Sequence, residues 1–233
     1  MKKTLWVMGA LLFVLMGCNA ESEKVEMKKM PTRFQSVNVN EAQLLQDGQA
    51  KMFCKVCGMN LPMFYKTNHA SDVDGKKHQF CSIHCLVETM NSGKKIDQIQ
   101  VVNNENLKFI DAKDAWYVVG SSKAGTMSKI SKYAFSHKEK AQEFSKKFGG
   151  DVMNFDSTMA LVQKGLKKES LMIQKKQEMM AKKGEMVYQK HCKATSQKFA
   201  SVGEAKSYIQ DSKSCGEVKG KQLQAIALYL YNR

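Results

Sequence analysis

The chain has 233 residues, 37 Lys+Arg against 22 Asp+Glu, and a formal net charge of +15 with histidine neutral. With 43% hydrophobic residues it can build a core, which excludes a wholly disordered chain, and with 2 Pro and 15 Gly it is neither collagenous nor mucin-like. A multi-span membrane protein is excluded because the only long apolar run lies at the N-terminus, whereas 16 Met and 7 Cys make soft sulfur the unusual feature of the composition.

In chain order, Lys2 and Lys3 precede an apolar run from Leu5 to Gly17. The run is shorter than the ~20 residues that span a bilayer and reads as an export signal. It closes Leu15-Met16-Gly17-Cys18, the pattern of a bacterial lipobox. On that reading residues 1–17 are removed, Cys18 is acylated, and loss of Lys2 and Lys3 takes the net charge to +13. The expected location is the cell envelope, lipid-anchored and facing the periplasm, with two or more acyl chains needed for firm anchoring. The polar stretch 18–50 is expected to be anchor and tether. In such an oxidising compartment disulfides persist, so a thiol kept reduced needs a reason, and a bound metal is one.

From Met52 onward the pattern is that of a small α+β protein. Lys77–Phe80 reads as a strand after the turn Asp74-Gly75. Ser82 is placed to cap a helix through Met90, with Ile83, Leu86, Val87 and Met90 on one face and Asn91-Ser92-Gly93 as its stop. Phe109-Ile110 and Trp116–Val119 read as strands. The pattern then recurs: a strand over Lys132–Phe135, a helix opened by Ser136 with Ala141, Phe144 and Phe148 inward, a stop at Gly149-Gly150, and a strand over Val152–Phe155. The expectation is two ββαβ modules in tandem over residues 51–160, with the strand at 115–120 as their hinge. Residues 157–190 read as one long or two medium helices carrying a stripe of Leu161, Leu166, Met172, Met179 and Met186, with Met as adaptable packing rather than a copper track. A linker helix over 161–183 and a small helical domain over 184–233 are expected, the latter with helices near Glu185–Cys192, Val202–Gln210 and Gly220–Tyr231. A disulfide between Cys192 and Cys215 would staple this slight unit, contributing about 3 kcal/mol by closing the loop.

The central chemical signal is Cys54-Lys55-Val56-Cys57-Gly58-Met59 followed by Cys81 and Cys85. Two cysteines at two-residue spacing let a tight turn aim both sulfurs at one atom, and Gly58 lets the backbone bend past them. Cys81 and Cys85, four apart, are expected on one helix face opposite Ile83, Leu86 and Val87. Met59 and Met63 add thioethers, and His69, His78 and His84 add imidazoles nearby. Four thiols can make a closed structural zinc site, two disulfides, a disulfide beside a two-cysteine site, or a site for copper(I), which favours thiolate and thioether. Spacing leaves metal identity open. A thioredoxin-like redox pair is disfavoured because Gly58 and Pro62 spoil the helix such a pair requires. No serine-histidine-aspartate order or phosphate loop supports an enzyme, and nucleic acid is not an expected partner of an exported lipoprotein.

The series Cys57-Gly58-Met59-Asn60, Asp74-Gly75 to Phe80, the helix bearing Cys85, Trp116–Ser121, Met127, Ala134-Phe135, Ala141, Phe144, Gly149-Gly150 and Val152–Phe155 resembles the NosL family of nitrous oxide reductase accessory lipoproteins. The resemblance implies a periplasm-facing, non-enzymatic copper(I) chaperone serving nitrous oxide reductase or another exported copper enzyme. It carries over Cys57, Met59 and Met127 as metal-site residues; Cys54, Cys81 and Cys85 make this chain richer in thiols than that pattern. The alternative is a zinc- or disulfide-stabilised extracytoplasmic adaptor that binds a protein partner. Gly184–Cys192 and Ala225–Leu230 also resemble the first and last helices of a small c-type cytochrome, yet Cys192 lacks the Cys-x-x-Cys-His of covalent haem attachment, so no haem is expected.

Overall fold

A computed structural model describes residues 33–233; the proposed lipidation residue Cys18 lies outside them. The first module is a strand pair β1 (His69–Val73) and β2 (Lys76–Phe80), a helix α1 (Ile83–Met90), then β3 (Ile96–Val102) and β4 (Phe109–Asp111). All four strands are antiparallel neighbours in the order β2-β1-β3-β4. The second is β5 (Trp116–Val119), β6 (Lys132–Phe135), a helix α2 (Lys138–Phe148) and β7 (Asp151–Met153), with β5 central between β6 and β7. Both modules therefore run ββαβ, the first with an added strand. The strand at 116–119 is not a hinge but the middle of the second sheet. Where the modules meet, Asn104 N–H donates to the Ala134 carbonyl at 2.8 Å.

Local chemistry moves several boundaries. Ser82 sits at the N-cap of α1 in extended conformation, but its hydroxyl makes no cap bond and is buried without a partner. Ser136 does not open α2, because its hydroxyl is engaged with Glu105 (2.9 Å) and Asn103 (3.0 Å); the cap position falls to His137. The last strand stops at Met153, since the Asn154 side chain accepts from Ser157 N–H at 2.9 Å and starts the next helix.

That helix, α3 (Phe155–His191), is a continuous 37 residues. Its first third packs Phe155, Met159, Val162 and Leu166 against Ile83, Val87, Val101, Tyr117 and Val119, making one core shared by both modules. Its last third packs Ala181 and Tyr188 against α4 (Val202–Ser212) and α5 (Gly220–Asn232), through Ile209, Leu223, Ile226 and Leu230. The expected stripe is corrected by this arrangement: of its members only Leu166 is buried, whereas Leu161, Met172, Met179 and Met186 face outward. Gly184 marks the closest helix approach, because a Cβ there would overlap the Ala225 carbonyl group of α5. Cys192 and Cys215 are joined by a disulfide that ties the end of α3 to the segment between α4 and α5. Residues 33–50, expected to belong to a tether, are packed too: Phe34 meets Tyr133 edge-on at 5.3 Å, and the buried Gln46 donates to the carbonyl of Phe53 at 2.7 Å.

Two expectations follow. His69 is fully buried, with Nδ1 3.1 Å from the Thr67 carbonyl and Nε2 3.1 Å from the Tyr117 hydroxyl. The neutral tautomer protonated on Nδ1 satisfies both contacts, with Tyr117 donating to Nε2. Burial lowers its pKa to about 4 from 6.5. A base depressed in the folded state leaves stability intact above pH 6.5 and removes it as acid protonates the unfolded chain first. About 3 kcal/mol should therefore be lost between pH 6.5 and pH 4, seen in urea titrations at stepped pH. His69→Gln should flatten that dependence. Second, Gly184→Ala should cost a net ~2 kcal/mol in the same assay, since overlap with α5 outweighs the ~1 kcal/mol gain in helix propensity.

Candidate metal centre

The Cys54–Cys57 turn precedes β1, and Cys81 and Cys85 lie between the end of β2 and the first turns of α1. Cys54 N–H donates to the Met59 carbonyl (2.8 Å) and Gly58 N–H to the Cys54 carbonyl (2.9 Å), closing the loop on itself. Gly58 holds φ +69°, a left-handed conformation for which glycine is suited. From the side, Lys55 N–H donates to the Gln79 carbonyl on β2 at 3.3 Å. Below, the Thr67 hydroxyl donates to the Cys81 carbonyl (2.8 Å) and meets the Thr126 hydroxyl of the second module, also at 2.8 Å. Thr126 thereby brings the neighbouring Met127, at φ +64°, toward the first module.

These contacts place four sulfurs together. Cys57 Sγ lies 3.5 Å from Cys81 Sγ, and Cys85 Sγ lies 3.8 Å from each of them. With Cys54 all four lie within 4.8 Å of one another, and they form the only group of three or more His, Cys, Asp or Glu among the described residues placed to share one ion. All four are free thiols and at most 3% exposed. A metal–sulfur bond of ~2.3 Å implies a tetrahedral S···S edge of about 3.8 Å, so the separations suit a single soft ion held by thiolates. At 3.5–3.8 Å these three sulfurs are not bonded to one another, and all four cysteines are free in this structure. Met59 and Met127 are partly buried and pack against the same cluster, with Leu61, Phe80 and Leu86.

The sulfur environment differs from the helical-wheel expectation. Cys81 precedes α1 rather than lying on it, and Cys85 shares its cluster with Leu86 instead of opposing it. Helix α1 is buried on two sides at once, Ile83 and Val87 toward the shared core and Cys85 and Leu86 toward the sulfurs. The histidines are used elsewhere. His69 serves Tyr117, and His84 lies between Glu88 and Glu169, 3.3 Å from each, fastening α1 to α3. Met63 is 41% exposed.

The thiols are electrostatically unequal. Burial pushes the Cys54 thiol up, yet hydrogen bonds from Cys57, Cys81 and Cys85 together outweigh it and hold Cys54 well below the ordinary thiol range. Burial, then hydrogen bonding to Cys54 and Cys57, pushes Cys81 well up. Hydrogen bonds to Cys54 and Cys57 come first in raising Cys85, with burial adding to them. Cys54 is therefore the thiol whose ionisation the cluster favours, and Cys81 and Cys85 are those it opposes.

Sequence spacing gives no hint of what roofs this loop. The Cys57 carbonyl accepts from Gln224 Nε2 of α5 at 3.1 Å, and the Gly58 carbonyl accepts from Lys206 Nζ of α4 at 2.6 Å. A Cβ on Gly58 would lie 2.6 Å from Val202 Cγ1, so a larger residue would push α4 away. Lys206 is one of 37 Lys+Arg, and nothing local in the sequence distinguishes it.

Comparison with known proteins places this geometry. The sequence model of the NosL family matches residues 46–160. That segment is similar to the NosL family. It holds all four thiols, Met59 and Met127, while α4, α5 and most of α3 lie beyond it. Among solved structures, the copper chaperone NosL from Shewanella denitrificans is 26% identical over 49% of this chain and 92% of its own, with a TM-score of 0.40. No curated protein matches the chain. The cytochrome likeness of the C-terminal segment gains no support, and Cys192 is engaged in its disulfide with Cys215.

Because cations displace protons from these thiols, affinity for a soft metal should rise with pH across about pH 6 to 9, with proton release on loading. Competition titrations with a chromophoric chelator at stepped pH measure it; a flat profile would contradict ligation by the raised thiols.

Proposed function

We propose that the chain is a non-catalytic copper(I) chaperone, lipid-anchored through Cys18 and facing the periplasm, that hands copper to an exported copper enzyme, nitrous oxide reductase being the client we favour. The observation that carries this reading is a NosL-like domain whose buried centre is all sulfur: four thiols with the Met59 and Met127 thioethers packed against them. Thiolate and thioether are the donors that favour copper(I) over harder ions. In the proposed site Cys54, Cys57, Cys81 and Cys85 grip the ion, and Met59 and Met127 are the weaker, exchangeable donors through which the ion passes outward. A neutral thioether holds copper less strongly than a thiolate, which suits transfer.

The second reading, a structural zinc centre, is favoured by one observation: the near-tetrahedral S···S spacing suits zinc as well. The two differ in how metal couples to folding. Metal affinity in a structural zinc site is folding energy, so its apo module unfolds. A copper carrier keeps its fold when empty and is stabilised on loading only as linkage requires.

Anaerobic circular dichroism melts of apo and copper(I)-loaded protein, with transfer to a competing copper(I) acceptor, decide between them. We expect a folded apo form, one copper(I) per chain, ready transfer, and a loss of copper affinity of at least about tenfold in Cys57→Ala. An apo form unfolded between Met52 and Val119, restored by zinc and inert toward the acceptor, would overturn the chaperone reading.

A further inference from the structure

The helices beyond the NosL-like domain contribute to the sulfur site itself. Lys206 belongs to α4, yet its side chain is only 5% exposed and runs inward over Phe53, with Nζ 4.9 Å from the ring centroid. Its ammonium ends on the Gly58 carbonyl at 2.6 Å, immediately after Cys57. Gln224 holds the adjoining Cys57 carbonyl, and Ser207, next to Lys206, donates to the Gln49 carbonyl at 3.1 Å. No carboxylate forms an ion pair with Lys206 among the described residues: every salt bridge there involves other cations.

A buried ammonium without a carboxylate is costly unless some other negative charge faces it. The charge available is that of the thiolates. Burial lowers the pKa of Lys206 to about 8, and the charges of Cys57, Cys54 and Cys81 act to raise it. Three or four thiolates around one copper(I) carry more negative charge than the ion cancels, and a fixed cation at the rim offsets the excess.

Resting on the copper reading above, we infer that Lys206 is a positioning and charge-compensating residue of the metal centre, supplied by the C-terminal helices, which favours the anionic copper(I)–thiolate state and orients the Cys57-Gly58 turn that presents it. The cation is borne on a segment outside the domain that carries the thiols. Metal retention in this chain is thus coupled to docking of α4.

The test compares full-length wild type with Lys206→Met, which keeps the buried stem without the charge, and Lys206→Arg, which restores a charge. Copper(I) affinity is read by competition, and thiolate formation in the apo protein by ultraviolet absorbance against pH. We expect Lys206→Met to bind copper(I) about tenfold more weakly and to form thiolates at higher pH, with substantial rescue of both by Lys206→Arg. A folded Lys206→Met with wild-type affinity and thiolate titration would overturn the inference. So would a parallel loss in both variants, which marks a packing role alone. A measurement on wild type needs no variant: the Lys206 Nζ titration, followed by NMR, should move to higher pH on copper loading, and an unchanged titration would reject the proposed pairing. Failure of wild type itself to bind copper(I) would instead sink the chaperone reading, so the two failures are told apart by which protein shows them.

Discussion

Collecting four sulfurs within 4.8 Å in a dry interior poses a charge problem that shapes everything around it. Neutral thiols tolerate such crowding, but a metal-binding set must become anionic where water cannot screen it. The protein answers in layers. Hydrogen bonding among the thiols favours ionisation of Cys54, and the Cys57 and Gly58 carbonyls of the loop are met by Gln224 and Lys206. Apolar walls of Leu61, Phe80 and Leu86 exclude water that would otherwise compete for the metal.

The long helix α3 makes that arrangement possible. Its first third completes the shared core of the two modules, and its last third carries the helical unit whose members return to the cysteine turn. Between these anchored ends, Leu171 and Met172 are largely exposed. The tight crossing at Gly184 and the disulfide at Cys192 set where α5 and α4 lie relative to α3, and so where Gln224 and Lys206 can reach.

Local signals in the sequence make much of this readable. Runs of β-branched and aromatic residues mark β5 and β6, and Gly149-Gly150 ends α2 because a glycine pair stops a helix wherever it sits. The cysteine spacing identifies the donor set and leaves the metal open. What escapes is whatever depends on distant partners. β1 carries no such local mark: His69–Val73 includes His, Ser and Asp, and pairing with β2 and β3 makes it a strand. The Met stripe on α3 turns outward against expectation, because a helix packed at both ends on different neighbours does not keep one continuous apolar line. Ser82 and Ser136 fit the cap pattern equally well in sequence. One hydroxyl is stranded without a partner, and tertiary contacts with Glu105 and Asn103 claim the other.

The links from Lys206 to Gly58 and from Gln224 to Cys57 join residues 148 and 167 positions apart. Contacts of such separation form late, since the intervening chain must be ordered before they return any free energy. The thiols all lie within residues 46–160, but two of the contacts that roof them come from α4 and α5. Gathering the thiols and covering them are thus separate requirements, met by segments far apart in sequence. Closure of the site is therefore the most non-local feature of the fold, and the centre is complete only when α4 and α5 are docked.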